Sequence, residues 1–349
     1  MLLPHALAGI ATVALVYLTV KRWYGARAGL IAGIVMAMTP AAALMFRFNN
    51  PDSFLTLFLT ASAYAFLRSF EGKRPVLWLS LAGLFTGFAF NTKMLQGLLL
   101  LPIMTIIYIS FARPKFTARL WRLGVAGIVT IVSTFWWSVL VWLTPAANRP
   151  WVGSTNDNSI WNLIFGYNGF GRLLGRGGGP GGGMQAGQAV SQPMPAMTPP
   201  TGMAAGGFGA GGPGGPGGVG FGGEAGVLRI FNESFGPNIA WLIPVALISA
   251  GLVIWLLRRA PRHNHNKERI GILLWLGWLL MHVVIFSMTS GTIHPYYVVA
   301  MAPAVAALVG IGAPYIWQAY TRRTKVAWIL PLSIALTTIL SIIMLGYSN

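Results

Sequence analysis

Apolar runs of similar length recur along the chain, separated by short polar or basic connections. A bilayer core of about 30 Å takes about 20 apolar residues per helix, with about 17 to 25 as the working range. Ten segments meet this length, at residues 2–20, 28–46, 53–70, 75–92, 94–112, 120–144, 238–257, 270–289, 296–319 and 326–346. The pattern predicts an all-α polytopic membrane protein, a bundle of about ten transmembrane helices with one long loop between the sixth and the seventh.

The composition supports a membrane protein. Of the 349 residues, 55% are hydrophobic and 9% are charged, which leaves too little polar surface for a soluble domain of this size. Lysine and arginine number 24 against 6 acids, an excess that in a soluble chain would suggest nucleic acid. Here the basic residues fall in short clusters between apolar runs, so they indicate topology, and no nucleic-acid partner is expected.

Alternate loops hold all but six of these basic residues. The set is Lys21, Arg22 and Arg27; Arg68, Lys73 and Arg74; Arg113, Lys115, Arg119 and Arg122; Arg258, Arg259, Arg262, Lys267 and Arg269; and Arg322, Arg323 and Lys325. Because basic loops are retained in the cytoplasm during insertion, we place this set inside and both termini outside. The prediction is a multi-pass protein of the cytoplasmic (inner or plasma) membrane whose active face is external.

The long external loop has two parts of different composition. Residues 148–175 mix Asn with aromatic and apolar residues, which suits a helix lying on the bilayer surface and also suits sugar recognition. Residues 175–226 hold half of the 44 glycines and should be disordered, because they cannot bury enough apolar area. The chain thus divides into membrane helices 1–6 (1–147), a surface-lying segment (148–175), a Gly/Pro-rich disordered insert (176–226) and membrane helices 7–10 (227–349).

The first external turn is densely polar for so short a connection. Asn50 can cap the third helix, with Pro51 at its first position and Asp52 near the positive end of its dipole. Capping requires neither Asn49 nor Arg47, so a substrate-binding role for the turn stays open beside the structural one.

Lys93 is the only charge in the apolar stretch 75–112. A tight helical hairpin would place it at the external interface. An ionisable residue at membrane depth costs about 3 kcal/mol on insertion scales, and it commonly binds an anion or lines a pathway. The alternative is a lysine that snorkels to the headgroups. We favour anion binding, because a turn of neutral polar residues would connect the two helices without the cost of a charge in the membrane.

Two further external groups are candidates for substrate binding. His294 and Tyr296 open the ninth predicted helix, although tyrosines at a helix end are also typical of the interfacial aromatic belt. Asn156 and Asp157 lie in the polar part of the surface segment, where such side chains can bond sugar hydroxyls.

The chain gives no sign of a cofactor. It has no cysteine, which removes disulfides, thiolate metal sites and cysteine nucleophiles together. No spacing of His and carboxylates indicates a metal site, and no Gly-rich phosphate loop follows a strand. A substrate therefore has to arrive from the membrane or from outside.

Several of these residues lie in runs that resemble bacterial members of glycosyltransferase family 39. In chain order the runs are Phe46-Arg47-Phe48-Asn49-Asn50-Pro51-Asp52, Asn91-Thr92-Lys93-Met94-Leu95-Gln96, residues 153–158 with Phe165-Gly166-Tyr167-Asn168-Gly169, and Ser290-Gly291-Thr292-Ile293-His294-Pro295-Tyr296-Tyr297. The family contains protein O-mannosyltransferases and aminoarabinose lipid A transferases. The resemblance implies a GT-C fold that transfers a sugar, with inversion, from a polyprenyl-phosphate-sugar donor lipid to a cell-envelope acceptor.

In that reading the leaving group is a lipid phosphate, and a cation such as Lys93 or Arg47 stabilises its charge. Members of the family carry an acidic motif, taken to supply the catalytic base, in a first external loop that has no counterpart here. Asp52 matches the second external acid, so we expect it to support catalysis, and the base is not assigned. Met1 precedes an apolar run without a positive n-region, and we expect an upstream helix and loop to be missing.

Two other functions fit the same pattern. A transporter or flippase of lipid-linked sugars would also use an anion-binding lysine, but such proteins favour inverted repeats, and no internal repeat is visible. A noncatalytic membrane subunit or a fragment is consistent with the missing acid.

Overall fold

The computed structural model describes residues 2–72, 74–155, 157–171, 222–258, 266–290 and 293–347. Every regular element in these ranges is a helix, which confirms the all-α class. The numbered helices are α1 (Leu3–Tyr24), α2 (Ala26–Met38), α3 (Pro40–Met45), α4 (Asp52–Arg68), α5 (Pro75–Gly97), α6 (Leu101–Phe111), α7 (Phe116–Leu143), α8 (Ile243–Arg258), α9 (Asn266–Met288), α10 (Ala302–Thr321) and α11 (Ile329–Gly346). Further helical segments cover Asn162–Gly171, Arg229–Phe231, Gly236–Ile239, Ala240–Leu242 and Pro295–Met301.

Each of the ten predicted segments falls on helix. Seven helices of the described chain are long and apolar enough to cross a membrane: Leu3–Tyr24, Pro75–Gly97, Phe116–Leu143, Gly236–Arg258, Asn266–Met288, Pro295–Thr321 and Ile329–Gly346. The other three segments form shorter helices. A single helix over 28–46 was wrong, because Pro40 has no N–H to donate and holds Thr39 in an extended conformation, which separates α2 from α3.

The predicted boundary between the fourth and fifth spans, at residues 92–94, coincides with a break in the helix. Helix α5 is counted to Gly97, but Lys93 and Met94 inside it have non-helical backbone angles. The fifth predicted span is shorter as a regular helix, since α6 begins at Leu101.

Helix α10 lies at the centre of the bundle and is buried along most of its length. It packs against α2 and α8. At the α2 contact, a Cβ on Gly310 would come within 2.6 Å of both the Ala28 carbonyl oxygen and the Ala32 side chain. Glycine at this position therefore allows the two helix backbones to approach closely.

A second row of helices runs α1, α4, α5 and α7, each packed on the next. The outward faces of the bundle carry large exposed apolar side chains, such as Ile10, Ile34, Ile128 and Ile339. A hydrocarbon environment requires apolar side chains on the outside of the bundle and helices whose backbone groups are hydrogen-bonded internally.

Glu71 joins the C-terminal ends of α1 and α4. Its carboxylate accepts hydrogen bonds from Arg22 and from the indole of Trp23, and it lies 3.3 Å from Arg68. The sequence places Glu71 among basic residues, and the structure agrees. Because Asp52 begins α4, the polar residues considered next lie at the other end of the bundle.

Candidate functional site

A cavity of about 470 Å³ lies where α4 begins and α5 ends. Its wall takes residues from four stretches that the sequence singled out, within 50–52, 91–96, 168–169 and 293–297. The C-terminal end of α9 completes the wall with Ile285, Phe286 and Thr289. Stretches far apart in the chain therefore meet around one space.

Asp52 and Lys93 form an ion pair in the wall of this cavity. The Lys93 Nζ lies 2.5 Å from Asp52 Oδ1, and the two side chains are 15% and 1% exposed. The tight turn predicted at Lys93 is present, and the structure adds a partner that the sequence did not show: a buried carboxylate holds the ammonium of Lys93.

A break in α5 places Lys93 there. Lys93 has φ −152° and ψ 43°, and Met94 has φ 37°, a positive value that non-glycine residues rarely adopt. After the break the chain folds back on α5, so that a Cβ on Gly97 would lie 2.4 Å from backbone atoms of Ala89 and Phe90. Such strain, of about 1–3 kcal/mol per residue, is concentrated at functional sites in proteins.

Aromatic rings cover the ammonium group on another side. The Nζ of Lys93 lies 3.2 Å from the centroid of the Tyr297 ring and 5.3 Å from that of Tyr296. The imidazole of His294 stacks on Tyr296 with ring centroids 5.2 Å apart. The structure thus brings His294 and Tyr296 to Lys93, and it adds Tyr297, which makes the nearer cation–π contact.

A buried histidine for which no role was predicted from the sequence fixes the turn before α4. His5 is buried, with Nδ1 2.6 Å from Ser53 Oγ and Nε2 2.9 Å from Asn49 Oδ1. Asn50 caps α4 as expected, since its Oδ1 accepts from the Asp52 N–H at 2.8 Å. The contacts of His5 span more than 40 residues, so no local spacing could have shown them.

Neutral polar residues complete the cavity wall. The Nε2 of Gln96 is buried and has no hydrogen-bond partner within the described ranges. The Asn168 side-chain amide donates to the Met94 sulfur at 3.1 Å. No role was predicted for either amide from the sequence, because a buried donor without a partner is recognised only in three dimensions.

Four of the described site residues that the sequence predicted are not part of the cavity lining: Arg47, Asn49, Asp157 and His294. Arg47 is exposed outside it, and Asp157 accepts from the backbone N–H of Ser159 and from the amide of Asn162, as in a local turn. Asn156 lies outside the described residues, as does most of the predicted disordered insert. Substrate binding by Arg47 and Asp157 stays a prediction.

Arg229 is a further residue that the sequence did not single out. It is 5% exposed and donates to the carbonyl oxygens of Gly222, Gly223 and Thr289 at 3.0, 2.7 and 2.5 Å. Because Thr289 belongs to the cavity wall, Arg229 links that wall to the segment at 222–223. Among the described residues, no cluster of three or more His, Asp or Glu side chains could hold a metal ion.

Residues 1–137 match the family described as dolichyl-phosphate-mannose-protein mannosyltransferase. The chain is similar to YkcB and YycA of Bacillus subtilis (strain 168), whose names propose mannosyltransferase activity, at 33% identity over 97% and 99% of its length. The matches cover 54% and 56% of those relatives, so the chain spans about half their length.

Solved structures show the same architecture. ArnT from Cupriavidus metallidurans, in crystals with undecaprenyl phosphate bound, aligns with a TM-score of 0.56 and 17% identity over 99% of this chain and 57% of ArnT. The apo structure of ArnT aligns with a TM-score of 0.54 and 16% identity, over 99% of this chain and 56% of ArnT. At this identity the match shows the fold, which confirms the predicted GT-C-like membrane bundle.

Proposed function

We propose that this protein is a membrane glycosyltransferase that moves a sugar from a polyprenyl-phosphate carrier to a cell-envelope acceptor on the external face. The observation that carries the proposal is the cavity containing the Lys93 and Asp52 pair, in a chain whose relatives are named as mannosyltransferases. The crystal structure of ArnT with undecaprenyl phosphate supports a lipid donor of this class. The transferase is favoured over the transporter alternative by the family of residues 1–137.

Lys93 is the residue that we assign to the donor phosphate. A lipid phosphate leaves as a stable anion, so the site needs a positive group near the leaving oxygen more than it needs a proton donor. The contacts with Asp52 and Tyr297 fix the Lys93 ammonium before the donor arrives, which reduces the reorganisation needed on binding. Asp52 is in this view a positioning residue.

Neutral groups of the same wall suit the rest of the donor. Gln96 offers a buried N–H donor, which can bond a phosphate or sugar oxygen without adding charge. Leu95, Leu99 and Phe286 provide an apolar side on which an isoprenoid chain can lie. A polar end and an apolar side in one cavity are the properties that an amphiphilic donor requires.

A binding measurement tests the assignment. Purified protein is titrated with undecaprenyl phosphate, and the wild type is compared with the double variant Lys93→Met/Asp52→Asn, which leaves no carboxylate unpaired. We expect roughly tenfold weaker binding, equivalent to about 1.4 kcal/mol for one lost charge-assisted contact. The matched control removes an ion pair at the opposite end of the bundle, as Arg22→Gln/Glu71→Gln. Equal affinity in the wild type and both variants would remove Lys93 from the donor site.

A further inference from the structure

A second cavity, of about 360 Å³, lies at the C-terminal end of α10. The first cavity lies beyond the N-terminal end of the same helical segment, so the two spaces are at opposite ends of the bundle. Helix α8 and the connection between α10 and α11 form its other walls. Neither the family nor the proposed transfer reaction assigns a ligand to this space.

Basic residues line its polar side. Arg322 and Lys325 belong to the connection after α10, where both are exposed and both line the cavity. With its carboxamide oxygen turned toward Arg322, Gln318 accepts from the two terminal guanidinium nitrogens at 3.0 and 3.3 Å. The connection itself is held by Thr324, whose N–H and hydroxyl both donate to the Ala319 carbonyl at 3.0 and 3.1 Å. The two cations are therefore presented by an ordered turn.

Apolar side chains form the opposite side. Leu252 and Leu256 of α8 line the cavity, and Leu252 packs with Ile316 and Ile329 in a buried cluster beneath it. Trp255, also in the lining, is 39% exposed. Tryptophan is enriched where membrane helices meet the headgroup layer. Basic side chains above an apolar wall suit an anionic amphiphile, which has a charged headgroup and an apolar chain.

We propose that this cavity binds an anionic phospholipid of the surrounding leaflet, with the phosphodiester between Arg322 and Lys325 and an acyl chain along Leu252 and Leu256. Basic pockets between membrane helices recognise acidic lipid headgroups in this way. A free phosphate ion would use the two cations and leave the apolar wall exposed to water. The inference does not depend on the proposed transferase function.

The experiment compares two variants with the same change in charge. Purified protein is titrated with phosphatidylglycerol in detergent, and bound lipid is counted by native mass spectrometry. We expect Arg322→Gln/Lys325→Gln to bind roughly tenfold more weakly, since each basic residue near an anionic headgroup contributes to its attraction. The control Arg113→Gln/Lys115→Gln removes the same charge from the connection between α6 and α7, outside the cavity, and should bind as the wild type does.

Two further arms separate the lipid from other anions. Leu256→Trp keeps both cations and fills the apolar side at a half-exposed position, so it should also weaken binding. Phosphatidylcholine should bind poorly to every variant, and excess inorganic phosphate should displace little phosphatidylglycerol. Equal weakening in the cavity and control variants would show a general charge effect and overturn the proposal. Unchanged binding in Leu256→Trp, or full displacement by phosphate, would equally overturn a lipid site.

Discussion

The ammonium of Lys93 lies 2.5 Å from Oδ1 of Asp52 and 3.2 Å from the centroid of the Tyr297 ring. Three segments separated by 41 residues or more in the chain thus converge on one cation: the start of α4, the break in α5 and the entry to α10. The carboxylate is 1% exposed, so it depends on this cation for its stabilisation.

Removing one member of the pair should therefore destabilise the protein. We expect Lys93→Met to lower the free energy of unfolding by about 3 kcal/mol, because a buried carboxylate then lacks its partner. The double variant Lys93→Met/Asp52→Asn should be closer to wild type than the sum of the two single variants. Denaturation of the detergent-solubilised protein, run as a double-mutant cycle, measures this coupling. Strict additivity would show that the pair contributes no interaction energy.

Replacing Gln96, in contrast, should not destabilise the protein. Its Nε2 is buried and without a partner among the described residues, so Gln96→Leu removes an unsatisfied donor and should leave stability unchanged or slightly higher. If the amide contacts the donor lipid, the same change should weaken undecaprenyl phosphate binding by about fivefold, or about 1 kcal/mol. Gln318→Leu, in the second cavity, is the matched control. Weaker binding in both variants would point to a general effect on the fold.

The general architecture could be predicted from the hydrophobic pattern and the distribution of charge, but the candidate site could be predicted only in part. Apolar runs long enough to span a bilayer fixed the helices, since hydrocarbon allows few other structures. Lys93 stood out because a charge in an apolar stretch is costly, and Asp52 because it begins a helix in a densely polar external turn. Their pairing with each other did not, because the hairpin predicted at Lys93 does not show which residue its side chain meets in three dimensions. The contacts of His5 and Arg229 are likewise products of tertiary packing.

The fold-back of α5 requires glycine at position 97. A Cβ there would lie 2.4 Å from backbone atoms of Ala89 and Phe90, which cannot rotate away as a side chain could. We expect Gly97→Ala to cost about 2 kcal/mol of stability and to disturb Lys93. Gly124→Ala is the control, because a Cβ at Gly124 meets nothing within 4 Å, and there alanine should stabilise the helix by about 0.5 kcal/mol. Similar unfolding transitions for the two variants would contradict the close contact between Gly97 and the backbone of Ala89 and Phe90.

Arg229 should be needed for the shape of the cavity wall. Arg229→Met leaves the carbonyls of Gly223 and Thr289 without this donor, while the Gly222 carbonyl keeps the amide of Asn232, and we expect a loss of about 2–3 kcal/mol in stability. Arg229→Lys keeps the charge but offers fewer donors without the planar fork, so it should recover only part of the loss. Thermal unfolding of both variants checks the order. Full recovery with lysine would indicate that the charge, and not the fork of donors, is what the carbonyls require.

The two ends of α7 give a direct test of orientation. The distribution of basic residues predicts that residue 117, at the start of this helix, faces the cytoplasm and that residue 147, just after its end, faces outward. Both positions are exposed, and the chain has no cysteine, so Thr117→Cys and Ala147→Cys each introduce a single label site. A membrane-impermeant maleimide should label Ala147→Cys in intact cells and Thr117→Cys only after permeabilisation. The reverse pattern would place the cavity with Lys93 on the cytoplasmic side and exclude transfer on the external face.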